Sequence, residues 1–410
     1  MSKSIVCGLD IGTSSIRAVL AEYKKGERTP YILATAHVAS EGLRDGYIID
    51  SEKACSSIDT AIHALEKISG QKVKRAGIAV GGAGITSHVV VGTSIVSRSD
   101  LEVTQLDISK ALKEARDTAI CANEKIIHTI PISYTLDGKD VLGEPKGLTG
   151  SKLQVKALAV SAHSLHLEKL IESIGSLGVE ITSIVASPLA ASIVCLSEKQ
   201  KVAGCALVNI GSETVTTGIF EDGAMISLHS IPLGSLDITN DIALGLKVSI
   251  DEAEGIKIGT LISTHSKKKL DEIICARLTD IFELLNKHLK KIGRQHLLPA
   301  GIILIGGGSR LHDTLTVAKD ELKLPVETGT ILRELEERIR TKDPVWHVAI
   351  GVCLYERPGT NPNSSVVHHE SDKKLSEFFK SFIRQFLPIF FFFVYVSMSF
   401  IDTISQIITT

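Results

Sequence analysis

Two short stretches far apart in the chain carry the same residue types in the same order. "GLDIGTSSI" runs from Gly8 to Ile16 and "LVNIGSETV" from Leu207 to Val215. Aligned on the shared Ile-Gly pair, Asp10 matches Asn209, Gly12 matches Gly211, Thr13 matches Ser212 and Ser15 matches Thr214. A glycine turn that follows an apolar strand and carries small hydroxyls can present backbone N–H and O–H donors to phosphate oxygens. Thr13, Ser14 and Ser15 supply those donors in the first copy, and Gly12 allows close approach of the backbone. Asp10, at the strand end, is placed to face a Mg²⁺ ion through the ion's own waters, because Mg²⁺ dehydrates reluctantly. Asn209 keeps the hydrogen bonds of that position without the charge. A third glycine run, Ile305-Gly306-Gly307-Gly308-Ser309-Arg310, also follows an apolar strand and is expected to open a helix, with its backbone against a base or a phosphate. One such turn alone reads equally as a plain hairpin; two in separate halves make a clamp.

The elements that position these turns alternate in type. Strand-like runs at Ser4–Leu9, Ala76–Val80, Gln154–Val160, Ala206–Ile210 and Gly301–Ile305 are interleaved with helical patterns at Ser51–Ile68, Ser161–Leu177, Lys268–Leu289 and Arg310–Leu322. Strands alternating with helices predict an α/β fold, whose ligands sit at strand ends. Between Gly84 and about Lys156 the texture changes to extended strands around one helix, Val103–Thr118, as expected of a small inserted α+β subdomain. From Gly234 to Gly293 the chain reads as mostly helical, and its Lys267-Lys268-Lys269 run as a solvated helix start. Residues 356–372 are rich in Pro, Gly, Asn and Ser and read as a linker.

Bulk composition narrows the function classes. The chain has 410 residues and a formal net charge of −2, with scattered basic residues and 4% aromatic content, which excludes an ordinary nucleic-acid binder. Seven dispersed cysteines without a C-x-x-C pair suggest reduced thiols and no metal cluster. The N-terminus has no apolar signal region, so a cytoplasmic protein is expected.

The end of the chain is built differently. Leu375, Phe378, Phe379, Phe382, Ile383, Phe386 and Leu387 fall on one helical stripe, with Lys373, Lys374, Lys380 and Arg384 on the other side. A basic amphipathic helix behind a linker suits the headgroup region of an anionic bilayer. Phe386 to Ile401 carries no charge and, as a helix, would extend about 24 Å, against a hydrocarbon core of roughly 30 Å. An interfacial or re-entrant anchor, a tail-anchored span, burial in a partner and an artefact of the gene's 3′ end all fit that segment.

The combination of "GLDIGTSSIRAVL", "ALVNIGSETVTTGIF" and "GIILIGGGSRLHD" resembles the actin-like ATPase superfamily. Within it, the insert motifs "GGAGITS", "IIHTIPISYTLDG" and "PKGLTGSKLQVKALAV" are similar to the FtsA family of bacterial division proteins. That resemblance implies a two-domain fold closing on ATP and Mg²⁺, with an SHS2-like insert in place of actin's usual small subdomain. Its subdomains would fall at residues 1–83, 84–156, 157–199, 200–240, 241–293 and 294–355, followed by the linker at 356–372 and the tail at 373–410. It implies nucleotide contacts at Asp10, Gly12, Thr13, Ser14, Ser15, Asn209, Gly211, Ser212, Thr214, Gly306, Gly307, Gly308 and Ser309. Glu254 and Lys257 would approach the ribose or adenine, although as residues three apart on a helix they also read as an exposed ion pair. The implied partners are the FtsZ C-terminal peptide, other division proteins, further copies of the chain and anionic lipids, at the cytoplasmic face of the membrane at mid-cell. Two other readings remain: a PilM-like adaptor of type IV pilus assembly, and a small-molecule kinase, which would need a general base beside an acceptor pocket. With Asn209 for an acid, weak or no hydrolysis is expected; the alternative is that nucleotide chiefly holds the halves together, leaving the acid dispensable. Glu213 would add a carboxylate near the phosphates unless it points to solvent.

Overall fold

The computed structural model describes residues 4–262, 266–339 and 341–357. Its first half opens with the antiparallel strands β1 (Ser4–Ile11), β2 (Ser15–Tyr23) and β3 (Tyr31–Ala39), then the short hairpin β4 (Leu43–Arg44) and β5 (Tyr47–Ile48). Helix α1 (Ser51–Ser69) follows. The Asp50 side chain accepts the Lys53 N–H at its start, and Gly70 closes it in the left-handed conformation. Strand β6 (Arg75–Val80) then returns parallel to β1.

The insert comes next: β7 (Ile85–Ile95), α2 (Gln105–Thr118), β8 (Glu124–Leu136), β9 (Lys139–Val141) and β10 (Lys152–His163). Its four strands form a separate antiparallel sheet in the order β7-β10-β8-β9. Gly92 in β7 lets α2 lie close, since a Cβ there would meet the Ala111 carbonyl at 2.0 Å. The first half resumes with α3 (Ser164–Ser176), β11 (Glu180–Ala186) and α4 (Ser187–Cys195).

After α5 (Glu198–Ala203), the second half repeats the first. Strands β12 (Cys205–Ile210), β13 (Val215–Glu221) and β14 (Ala224–Ile231) are antiparallel neighbours. The helices α6 (Ser235–Leu246), α7 (Ile250–Lys257) and α8 (Lys267–Lys291) precede β15 (Ile302–Ile305), which runs parallel to β12. Then come α9 (Thr314–Leu322), β16 (Val326–Thr328), α10 (Arg333–Glu336) and α11 (His347–Tyr355). The two five-stranded sheets, β3-β2-β1-β6-β11 and β14-β13-β12-β15-β16, have the same strand order and the same sequence of antiparallel and parallel pairings. The internal repeat read from two turns therefore extends to the whole of both sheets.

Two helices join the halves. α4 leaves the first sheet and meets the second, where Gly218 makes room for Pro188. α11 crosses the other way, its Ala349 carbonyl so close to Gly8 that a Cβ there would lie 2.3 Å from it. The helices touch backbone to backbone at Gly351 and Ala190, where a Cβ on the glycine would meet the Ala190 carbonyl at 2.0 Å. Beside them one apolar cluster unites all three sheets, with Ile130, Leu158 and Val160 of the insert, Val185 and Ala79 of the first sheet, and Leu207, Phe220 and Ile303 of the second.

Two expected helix starts shift. The pattern read as helical from Ser161 is still strand as far as His163, because β10 keeps its pairing with β7 and β8 to Ala162 and His163 respectively. The third glycine run opens only a four-residue 3₁₀ turn, Gly307–Arg310, and α9 begins at Thr314. No helix among the described residues is long and apolar enough to cross a membrane. The stripe from Leu375 to Leu387 lies outside the described residues.

Candidate functional site

The halves face each other across a cavity of about 1320 Å³. The repeated turns make its opposing walls, and they are the same structure twice. Gly12 N donates to Ser15 O at 3.1 Å and Gly211 N to Thr214 O at 2.9 Å. Each turn is closed by a register pair at the last residue of its leading strand, Ile11 with Ile16 and Ile210 with Val215. A Cβ on Gly12 would lie 3.0 Å from the carbonyl opposite and crowd the turn, and one on Gly211 would lie 2.8 Å away and force it to shift. The second turn rests on the start of α6: Ser235 and Leu236 donate their N–H groups to Gly211 O and Ser212 O.

Of the residues expected to bind nucleotide, Asp10, Gly12, Thr13, Ser14, Ser15, Asn209, Gly211, Ser212, Thr214, Glu254, Lys257, Gly306, Gly307 and Gly308 all line this cavity. Ser309 does not. It is buried and its hydroxyl donates to the Gly306 carbonyl at 2.8 Å, so the third turn offers backbone and not that side chain. Glu213 is half-buried and does not line the cavity; its Oε2 accepts the Asp45 backbone N–H from the opposite half.

Glu254 and Lys257 form no exposed pair. The Lys257 ammonium, 5% exposed, reaches Glu254 Oε2 at 2.7 Å, Thr239 Oγ1 at 2.7 Å and the Ser235 carbonyl at 2.9 Å. Three acceptors use up the three N–H donors of a lysine. Thr239 Oγ1 also donates to Glu254 Oε2 at 2.6 Å. Lys257 is thus committed to the fold, whereas Glu254 makes these bonds through Oε2 alone and lines the cavity.

Several lining residues went unread in the sequence. Arg17 stands directly across β1–β2 from Asp10, and His37 stands across β2–β3 from Arg17. Burial pushes the Asp10 carboxyl up to about 6, with Arg17 pulling it down. Burial also lowers the His37 imidazole, with Arg17 and Arg310 adding to the effect. The buried Arg17 Nε makes no hydrogen bond. A cation without a full set of acceptors beside a partly desolvated carboxylate suits a polyphosphate, whose oxygens occupy the donors, and a hydrated Mg²⁺, which compensates the acid. The hairpin register carries the signal for Arg17: once the turn is set at residues 12–14, the partner of Asp10 follows. A further turn, Gly81-Gly82-Ala83-Gly84, leaves β6 as Gly306-Gly307-Gly308-Ser309 leaves β15, the topologically equivalent strand, and its glycines also line the cavity.

The family profile described as cell division protein FtsA matches residues 206–351, and that of the SHS2 domain inserted in FtsA matches residues 82–161. The chain belongs to the FtsA family. FtsA from Bacillus subtilis (strain 168) is 29% identical over 376 residues, covering 86% of this chain and 84% of the relative. Among solved structures, the PilM-PilN type IV pilus biogenesis complex aligns with a TM-score of 0.64 and 17% identity, over 85% of this chain and 97% of the other. MreB5 of Spiroplasma citri bound to ADP aligns with a TM-score of 0.51 and 14% identity, over 86% of this chain and 96% of the other. At these identities both structures speak for the fold, which is actin-like. The protein is an actin-like cell-division protein of the FtsA family, with the SHS2 insert expected from its sequence.

Proposed function

We propose that the cleft closes on ATP and that the loaded protein self-associates into actin-like protofilaments and links FtsZ filaments to the cytoplasmic membrane at mid-cell. One observation carries the nucleotide reading: two turns of identical hydrogen bonding, from two sheets of identical order, oppose each other over one cavity. Backbone N–H groups and hydroxyls of Thr13, Ser14, Ser15, Ser212 and Thr214 grip the phosphates, Arg17 adds charge, and the Gly306–Gly308 backbone lies against the adenosine. Glu254 accepts from the ribose. Mg²⁺ would be held by Asp10 through water and by the phosphates, and it would supply charge neutralisation. Asn209 brings no charge to that ion, so hydrolysis is slow.

The helical segment around 241–293 is the proposed seat of the FtsZ peptide. Leu244 and Ile262 stand exposed there, outside the cavity lining, and give an apolar peptide something to cover. The basic stripe from Leu375 to Leu387 supports attachment to anionic lipid.

Fluorescent ATP and ADP titrations with and without Mg²⁺ test the cleft, and failure of the purified chain to bind either nucleotide would remove this reading. Co-sedimentation with anionic liposomes, using the full chain and a version ending at Glu370, with and without FtsZ, tests the tether. If both versions pellet alike, or the full chain stays in solution, the tether is wrong.

A further inference from the structure

The Asp45–Gly46 turn between β4 and β5 touches three of the four glycine turns around the cleft. Both residues are left-handed, with φ of 53° and 83°. Gly46 N donates to Thr13 Oγ1 at 3.1 Å, which ties the turn to the first phosphate loop. Ala83 N donates to the Asp45 carbonyl at 3.0 Å, which ties it to the turn leading into the insert. A Cβ on Gly46 would lie 2.7 Å from the Gly82 Cα, and one on Gly82 would lie 2.7 Å from the Asp45 carbonyl, so the two backbones are in direct contact. The remaining donor of the turn, Asp45 N–H, goes to Glu213 Oε2 in the second phosphate loop, 168 residues away and in the other half.

We infer that Glu213 is a positioning residue: by holding the Asp45–Gly46 turn from across the cleft, it orients Thr13 for phosphate and couples the second half to the base of the insert. The turn's N–H groups leave it in two directions, to Glu213 and to Thr13. Because Thr13 Oγ1 accepts from Gly46, its own proton is directed elsewhere, toward the cavity it lines. Loss of the Glu213 acceptor leaves a part-buried N–H unpaired, and the turn relaxes away from Thr13. The consequence for Thr13 rests on the nucleotide reading above; the latch does not.

Reach and charge are separable by substitution. Glu213→Gln keeps the length and an acceptor oxygen but removes the charge. Glu213→Asp keeps the charge and falls one methylene short. Hydrogen exchange of the full chain, followed by mass spectrometry without nucleotide, reads the peptides spanning 42–49 and 81–86. Glu213→Asp and Glu213→Ala exchange about tenfold faster there than the unmutated chain, the scale expected for loss of one hydrogen bond, and Glu213→Gln, which keeps an acceptor at the same reach, stays near the original rate. Fluorescent ATP affinity follows the same order, dropping about fivefold or more in the Asp and Ala variants with most of it recovered in Gln. Unchanged exchange in Glu213→Ala, or Gln behaving as Ala does, overturns the latch. An unmutated chain that binds no ATP defeats the nucleotide reading, and the exchange comparison then decides the latch by itself.

Discussion

Asn209 lays its amide oxygen against Gly306: a Cβ on that glycine would sit 2.3 Å from Oδ1. The pair joins the second phosphate strand to the third glycine turn, since Asn209 is also the register partner of Ile305 in the parallel β12–β15 ladder. Asn209 therefore helps shape the floor of the cleft besides occupying the position that matches Asp10.

Replacing Asn209 with Asp restores a carboxylate to that floor with almost no change of shape. ATP turnover, measured as phosphate release, is expected to rise by about 10²-fold, the scale of one preorganised electrostatic group, while affinity changes little. Turnover of several per second in the unmutated chain would contradict this account of Asn209.

Gly306 and Gly307 differ in what they can tolerate. Gly306 has a φ of 86°, and its Cβ would also meet the Ile210 carbonyl at 2.6 Å; Gly307 has nothing within 4 Å. Gly306→Ala should lower unfolding stability by about 2–4 kcal/mol, combining left-handed strain with overpacking, whereas Gly307→Ala stays within about 0.5 kcal/mol. Denaturant midpoints of the two variants make the comparison, and equal losses would count against the turn geometry.

Lys257 should matter for stability and Glu254 for nucleotide. Lys257→Met strips three hydrogen bonds from a nearly buried group and leaves Glu254 and Thr239 short of a donor, a loss of about 2–4 kcal/mol. Glu254→Gln keeps an acceptor toward the ribose and should bind ATP within about threefold of the original, while Glu254→Ala weakens binding about tenfold. Titrations with ATP and with triphosphate lacking the nucleoside separate the two effects.

Asp10 gives a pH signature. Burial raises its folded carboxyl to about 6, above an ordinary value near 4, so the folded protein favours the neutral acid. Its contribution to stability is intact below about pH 4 and is lost as pH rises through 6. Asp10→Asn, which carries no charge, should gain a few degrees in thermal midpoint over the original at pH 8 and little at pH 4, while Mg²⁺-dependent ATP affinity falls. An equal gain at both pH values would locate the effect elsewhere.

The parts of this molecule legible in its sequence are those set by local pattern. The β1–β2 turn, its copy at Gly211 and the third glycine run could be found because a glycine after an apolar strand has a local cause. The contacts that close the cleft have no such cause. Glu213 meets Asp45 across 168 residues, and nothing in "NIGSET" distinguishes an acid that faces solvent from one that faces another turn. Ser309 looked like the other hydroxyls of the glycine turns, yet the tight 3₁₀ geometry of Gly307–Arg310 turns its hydroxyl back onto the Gly306 carbonyl. Helix α3 starts three residues later than its pattern because strand pairing in the insert overrides helical propensity at Ser161–His163. The repeat of Gly81–Gly84 with Gly306–Ser309 emerged only from strand order, since the insert separates the first of these from the helix that should follow it.

The insert leaves the first half at Gly84 and rejoins it at His163, whose N–H donates to the Gly84 carbonyl at 3.3 Å. Its entry and exit are thus neighbours, and a short turn could reclose the parent chain without it. In covalent terms the module is portable. Its apolar underside is not, because Ile130, Leu158 and Val160 belong to a cluster that also holds Val185, Phe220 and Ile303. A transplanted copy would bring a bare hydrophobic face, and the vacated parent would expose its complement. The seam lies in the chain at one point, while the cohesion is spread through a core shared by three sheets.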